Sequence, residues 1–427
     1  MSRSFRAGLS VVVLLAACVS ARAQHVPTDL PPVVDAAAVA RLDVALAGFV
    51  ERGDVAGVSA LVMERGEEVY AGAFGNADLE AGDPMVRETI VQIYSMTKPI
   101  TGVALLTLWE TGAFDLDDPL AMYAPEFADQ KVYVGEAADG TPILETPRRP
   151  VTIRDLTRHT SGIGADGGHE GLAAMLREAD PTNRENTLAE MARRFARLPI
   201  GFHPGAQWNY GPSVDLQAYL VERISGQPYA EYVREHVLDP LGMDETRYVV
   251  PEADRDRLAA MYRRGADGGL THVPDADAHA FNTRAWPLTP GGWGLTSTLD
   301  DYSRFAQMLL NGGALDGARI LQPETVRMMA TSHLDDAVTE RLWLPSKGQV
   351  GFGIDVAVRV RPPASADENP GTVGEFFWDG AASTLFWVDP VNDLTAVLFV
   401  QLMPFDGVGL HHGFREAIYG PYRPRGD

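Results

Sequence analysis

The sequence predicts an α+β fold: an antiparallel sheet flanked by helices, with a mostly helical second lobe. Three observations predict it. Two apolar runs near the start read as paired strands, residues 95–300 read mostly as helices joined by long loops, and strand-like runs return after residue 350. One sheet built from both ends of the chain accounts for that order, with the helical segment inserted between. The α/β lobe then takes about residues 35–110 plus 290–427, and the helical lobe about 111–289.

Each element has a local reason. Residues 35–50 carry apolar side chains at helical spacing and read as an opening helix. Residues 58–63 and 68–74 are apolar runs separated by Glu64-Arg65-Gly66-Glu67, which predicts a β-hairpin. Pro99 is tolerated only in a first helical turn, so a helix is expected to start near Ser95 and continue through residues 101–108. Residues 214–224 have three- and four-residue apolar spacing and stop at Gly226. Ser297-Thr298-Leu299-Asp300-Asp301 gives a hydroxyl cap and an acidic first turn, for a helix reaching Leu310. Strands are expected at 352–360, 384–388 and 394–399, and a closing helix at 409–419.

Composition narrows the function. The chain has 427 residues, 45% hydrophobic, enough for a large core, and a formal net charge of -22. That charge repels phosphate backbones and anionic lipid, so neither nucleic-acid binding nor surface adsorption to membranes is expected. Arg3 and Arg6, an apolar run at 7–17 and Ala21-Arg22-Ala23 read as a signal peptide over residues 1–23. The alternative is a lipoprotein signal over 1–17, because Leu15-Ala16-Ala17-Cys18 is similar to a lipobox and would place a lipid anchor at Cys18. Both routes imply export, to a periplasmic or secreted location, with membrane anchoring in the second. Residues 24–34 are Pro-rich and read as a linker, and residues 35–427 as the folded domain. Cys18 is the only cysteine, so the mature chain has no internal disulfide and no cysteine metal site.

The chemistry starts at Ser95-Met96-Thr97-Lys98. Positions three apart share one helix face, so the amine can reach the hydroxyl and, when neutral, take its proton. Lysine ordinarily titrates near ~10.4, so such a base must be buried or sit beside positive charge. N–H groups at a helix start can hold developing negative charge. With 15 serines and only three lysines, chance gives about 0.1 Ser-x-x-Lys in a chain of this composition. The competing reading is a surface lysine one turn past a helix cap.

These residues also carry a resemblance. Tyr94-Ser95-Met96-Thr97-Lys98-Pro99-Ile100 resembles the nucleophile helix of the class C β-lactamase superfamily, and within it that of the family VIII carboxylesterases. Leu156-Thr157-Arg158-His159-Thr160-Ser161-Gly162-Ile163, Trp208-Asn209-Tyr210, Asp239-Pro240-Leu241-Gly242-Met243, Gly291-Gly292-Trp293-Gly294-Leu295 and Trp378-Asp379-Gly380 are similar to further segments of that superfamily, in the same order. The resemblance implies a β-lactamase/transpeptidase-like fold and a Ser-Lys-Tyr serine hydrolase, with Tyr210 as a second base. A phenol is a poor base alone, but a neighbouring ammonium favours its anion. The resemblance also implies an oxyanion hole from the N–H groups of Ser95 and Ala381, with Gly380 allowing close backbone approach.

Two departures point to the substrate. Trp378 stands where penicillin-recognising relatives carry a lysine, and Pro212 where they carry an asparagine. An indole and a proline supply no charge or amide, so a neutral ester with an apolar acyl group is the expected small-molecule substrate. Trp378, Asp379, Gly380 and Pro212 are the expected substrate contacts. The alternatives are a β-lactamase, a D-amino-acid-specific peptidase, or a weakly catalytic penicillin-binding protein. No cofactor or metal is expected. His411-His412 lack companion ligands, and Asp115, Asp117 and Asp118 lack the rest of a calcium loop. Ser213 in Gly211-Pro212-Ser213-Val214-Asp215 is a near miss to a nucleophile elbow, without the strand that such a turn requires.

Overall fold

The computed structural model describes residues 30–423, so the expected signal peptide and Cys18 lie outside the described residues. The opening helix is Ala36–Glu51, and Asp35 caps it by accepting from the Ala38 N–H at 2.9 Å. Strands β1 (Gly57–Glu64) and β2 (Glu67–Asp78) form the expected hairpin. Arg65 and Gly66 both take positive φ, 57° and 77°, as a two-residue turn matched to strand twist requires. Val33 and Val34, at the end of the expected linker, donate their N–H groups to the buried Glu64 carboxylate.

A short third strand, β3 (Asp83–Pro84), and five late strands complete the sheet: β4 (Val350–Phe352), β5 (Ala357–Arg359), β6 (Phe376–Asp379), β7 (Leu385–Asp389) and β8 (Leu394–Phe399). Their order is β4-β5-β6-β7-β8-β1-β2-β3, every neighbouring pair antiparallel. The two ends of the chain meet at β1 and β8, with Ser59 opposite Phe399 and Glu64 opposite Leu394.

Both faces of the sheet are covered. On β7, Phe386 and Trp387 point to opposite faces and both are fully buried. Phe386 packs on Tyr302 and Phe305 of the Leu299–Leu310 helix, while Trp387 packs on Phe414 of the Leu410–Tyr419 helix. That closing helix packs in turn on Ala36–Glu51. The result is three layers, helix–sheet–helix, with the core on both sides of β1, β7 and β8.

The expected strand at 352–360 is two strands. The chain reverses through Gly353–Val356, where Asp355 takes φ 56°, and β4 pairs back on β5. The middle lobe contains helices Ile153–Thr157, Glu170–Ala179, Leu188–Ala196 and Ser213–Ser225. It also holds hairpins the sequence did not announce, Val132–Glu136 with Pro142–Glu145 and Tyr262–Arg264 with Leu270–His272. Among the described residues no helix is long and apolar enough to cross a membrane.

One helix start carries a pH-dependent strain. Thr298 caps Leu299–Leu310 and Asp301 lies in its first turn, where the dipole favours a carboxylate. Burial outweighs that, and the hydrogen bonds from Thr246 and the Glu245 N–H, and lifts the Asp301 carboxyl from 3.8 to about 6. A folded-state value above the unfolded one means the native protein takes up the proton first, so this group costs stability above about pH 6 and ceases to do so toward pH 4. Asp301→Asn is therefore expected to gain on the parent as pH rises from 4 to 7, by about 1–3 kcal/mol in urea or thermal melts. A pH-independent difference between the two would contradict this.

Candidate active site

Tyr94 takes φ 46°, a conformation that non-glycine residues enter only under constraint. A 3-10 turn follows at Tyr94–Met96, and the α-helix begins at Thr97, running to Glu110. The sequence placed that start near Ser95; Ser95 instead sits in the tight turn before it. The turn still aims the hydroxyl at the next residue of the motif, with Lys98 Nζ 3.1 Å from Ser95 Oγ. The Thr97–Glu110 helix is buried almost all round and packs on the Ser213–Ser225 helix, which fixes Lys98 in place.

Lys98 is 5% exposed and its ammonium is shared among three groups. Beside the Ser95 hydroxyl, it donates to the Gly292 carbonyl at 2.6 Å and lies 4.6 Å from the centroid of the Tyr210 ring. Gly292 is itself held, its N–H donating to Asp215 Oδ1 at 2.8 Å. Asp215 lies in the first turn of Ser213–Ser225, so that helix and the Gly291-Gly292-Trp293 loop together seat the amine. Burial raises the Asp215 carboxyl, and the Lys98 charge works against that rise.

Tyr210 projects from the loop before that helix into a nest of rings. His159, Trp343 and Trp378 lie at centroid distances of 4.7, 5.1 and 5.5 Å. The Trp378 indole N–H donates to the Tyr210 hydroxyl oxygen at 3.3 Å. His159 is fully buried, and burial followed by the Lys98 charge holds it well below the usual histidine range, so it is neutral. The structure thus brings Ser95, Lys98 and Tyr210 together from distant stretches of the chain.

The Trp378-Asp379-Gly380 segment approaches from β6. A Cβ on Gly380 would lie 2.2 Å from Thr384 Oγ1 and 2.5 Å from the Ile93 carbonyl oxygen, so only glycine lets this loop sit against the turn holding Ser95. The N–H groups of Ser95 and Ala381 have no acceptor within the described chain. Ala381 is exposed.

Two expected substrate contacts differ from the sequence reading. Trp378 is 1% exposed and backs Tyr210, because Trp343 stacks over it at 6.1 Å; the accessible indole is that of Trp343, at 38%. Asp379 is buried in an ion pair with Lys347, whose ammonium also lies over Trp343 and Trp378, so its carboxylate is spent on a neighbour. Pro212 does line the open groove, about 500 Å³, together with Lys98, Tyr210, Leu176, Phe195 and Trp293.

Trp343, His159 and Lys347 are the site residues that sequence reasoning missed. A retained lysine in a chain of 33 arginines was the available indication for Lys347. The decoys resolve as packing. Ser213 begins a helix and is 2% exposed, His411 donates to the Ser383 carbonyl at 2.8 Å, and Asp117 pairs with Arg154.

Comparison with known proteins identifies the family and the fold. The β-lactamase family profile matches residues 42–417. The esterase EstB of Burkholderia gladioli is 31% identical over 409 residues, covering 90% of this chain and 96% of that protein. The lovastatin esterase of Penicillium rubens is 28% identical over 406 residues, covering 89% and 98%. In fold, the chain is similar to simvastatin synthase LovD of Aspergillus terreus, with TM-score 0.77 at 23% identity, covering 90% of this chain and 98% of that one. It is also similar to EstCE1, a hydrolase with promiscuous acyltransferase activity, with TM-score 0.73 at 24% identity, covering 90% and 99%. The chain belongs to the β-lactamase family, and has the class C fold in the form shared by its family VIII-like esterases.

Proposed function

We propose that the protein is an exported serine hydrolase that cleaves carboxylic esters through an acyl-enzyme on Ser95. The observation that carries this is the 3.1 Å approach of Lys98 Nζ to Ser95 Oγ beneath the Tyr210 ring. Ser95 Oγ attacks the ester carbonyl carbon and its proton passes to the Lys98–Tyr210 pair. The N–H groups of Ser95 and Ala381 hold the oxyanion. The same pair returns the proton to the leaving alcohol, and water attacking the acyl-enzyme releases the acid. The Trp378 N–H, donating to the Tyr210 oxygen, favours negative charge on that oxygen while the proton is in transit.

The charge balance around Trp378 and Asp379 supports an ester over a β-lactam or peptide. Lys347 brings an ammonium close to the position of the missing lysine, but Asp379 neutralises it and only 7% of the residue is exposed. The groove around Pro212 has apolar walls in Leu176, Phe195 and Trp293, and the arginine that lines it, Arg177, is paired with Glu170 at 2.6 Å. The names of the similar proteins, two esterases and a hydrolase with acyltransferase activity, support ester chemistry as well.

A panel of 4-nitrophenyl esters from acetate to octanoate, read beside a chromogenic cephalosporin, tests this. The expected result is turnover of short and medium esters at least a hundredfold faster than of the cephalosporin. Folded protein that leaves every ester intact while opening the cephalosporin would make it a β-lactamase. A stable penicillin adduct without turnover of either substrate would make it a penicillin-binding protein.

A further inference from the structure

A second cavity, of about 250 Å³, lies on the far side of Trp293 from the catalytic groove. Trp293 lines both spaces, and Tyr94, the residue before the nucleophile, lines the second one. Its walls are apolar, from Met261, Phe281, Leu295 and Met403. At a water's share of liquid volume, about 30 Å³, it has room for about eight non-hydrogen groups. Its floor is rigid: Gln92 donates to Asn282 Oδ1 at 2.8 Å, and Asn282 donates to the Gly294 carbonyl at 2.8 Å.

The charged residues of this cavity are Arg184, Arg263 and Asp277. Most arginines of this acidic chain are tied to carboxylates or carbonyls. Arg184 and Arg263 are exposed and make no side-chain hydrogen bond or ion pair among the described residues; Arg184 rests on the Trp286 ring at 5.4 Å. The Arg263 charge reaches Tyr94, favouring the phenolate of a group that burial otherwise keeps neutral. The cavity is thus an apolar pocket with a net positive mouth, next to the nucleophile of a strongly negative protein. Two guanidiniums offer planar, multiple donors matched to a carboxylate.

We propose that this cavity is a subsite for a carboxylate carried by the ester substrate at a distance from the bond being cleaved, with Arg184 and Arg263 as its specificity-determining residues. The proposal rests on the esterase reading and refines it: the scissile group meets the neutral groove, and the remote anion reaches past Trp293. In a protein of charge -22 the two arginines also offset the general repulsion of an anionic substrate.

Matched ester pairs test it, at low salt. On the acyl side, 4-nitrophenyl hydrogen glutarate is compared with its methyl ester; on the alcohol side, 4-carboxyphenyl butyrate with 4-carbamoylphenyl butyrate. In at least one pair the acid is expected to have the higher kcat/KM, with an advantage that shrinks as salt rises. Arg184→Gln/Arg263→Gln is expected to lower kcat/KM for that acid about tenfold, mostly through KM, and to change its neutral partner less than twofold. The responding pair tells which side of the ester faces the cavity. Equal losses for acid and neutral partner, or no acid preference in either pair, overturn the subsite while leaving the esterase reading intact. Failure of the wild-type protein to cleave any neutral ester would instead overturn the esterase reading. Both arginines are exposed, so the double variant should melt with the parent, and a collapse in Tm would count against the proposal.

Discussion

Ser95→Ala is expected to lower kcat/KM for ester hydrolysis by about ten-thousand-fold or more, because the nucleophile is one member of a unit whose parts act together. The residual rate would come from the groove and the oxyanion donors. The fold should tolerate the change. The Ser95 hydroxyl has one side-chain partner, Lys98, and the ammonium keeps its bond to the Gly292 carbonyl. Intact-mass measurement during turnover of a slowly released ester should show an added acyl group on the parent and none on the alanine variant. If the variant keeps a hundredth of the parent activity, or takes up the acyl group, the nucleophile is elsewhere.

Lys98→Met should come close behind, at about a thousandfold or more in kcat, with the volume of the side chain largely kept. Its cost to folding should be small and of either sign. The Gly292 carbonyl loses a donor, worth about 1–3 kcal/mol when buried, and a buried charge is removed at the same time. The neighbouring carboxyls supply an independent readout. Lys98 restrains the burial-driven rise of both Asp215 and Asp355. Without it both should titrate higher, so the variant should gain stability relative to the parent as pH falls through their range. A variant that keeps a tenth of the parent kcat would mean that the proton leaves Ser95 by another route.

Much of the fold is legible in the sequence because its determinants are local. The Arg65-Gly66 turn, the Asp35 and Thr298 caps and the stop at Gly226 are each set by residues within four positions of the event. The proposed catalytic trio is legible for a different reason: Lys98 is one of three lysines and stands three positions after Ser95, while Tyr210 is indicated by the family resemblance of its segment. Elements decided by tertiary contact are not legible. The break at Asp355 occurs inside a run read as one strand, where Gly353 alone is a weak turn signal, and the bend is held from outside by the Thr157 carbonyl, which accepts the Asp355 N–H at 3.0 Å. The hairpin at Val132–Glu136 was missed because its return strand is wholly exposed and lacks the alternation that marks a half-buried strand. Trp343 and Lys347 lie at the cap and the end of a 3-10 segment, and their partners are far off in sequence, Tyr210 well over a hundred residues earlier and Asp379 over thirty later, so no window of sequence could bring them together.

The pairing of β1 with β8 has a consequence for biogenesis. While the chain is still on the ribosome, the Gly57–Glu64 strand can pair with β2 on one side only; its other edge waits for residues 394–399. Such a long sequence separation makes closure slow and leaves a hydrophobic edge open to other nascent chains. A chaperone that shields that edge until synthesis ends should raise the yield of soluble enzyme. Truncation before residue 394 should yield aggregates rather than a smaller folded lobe.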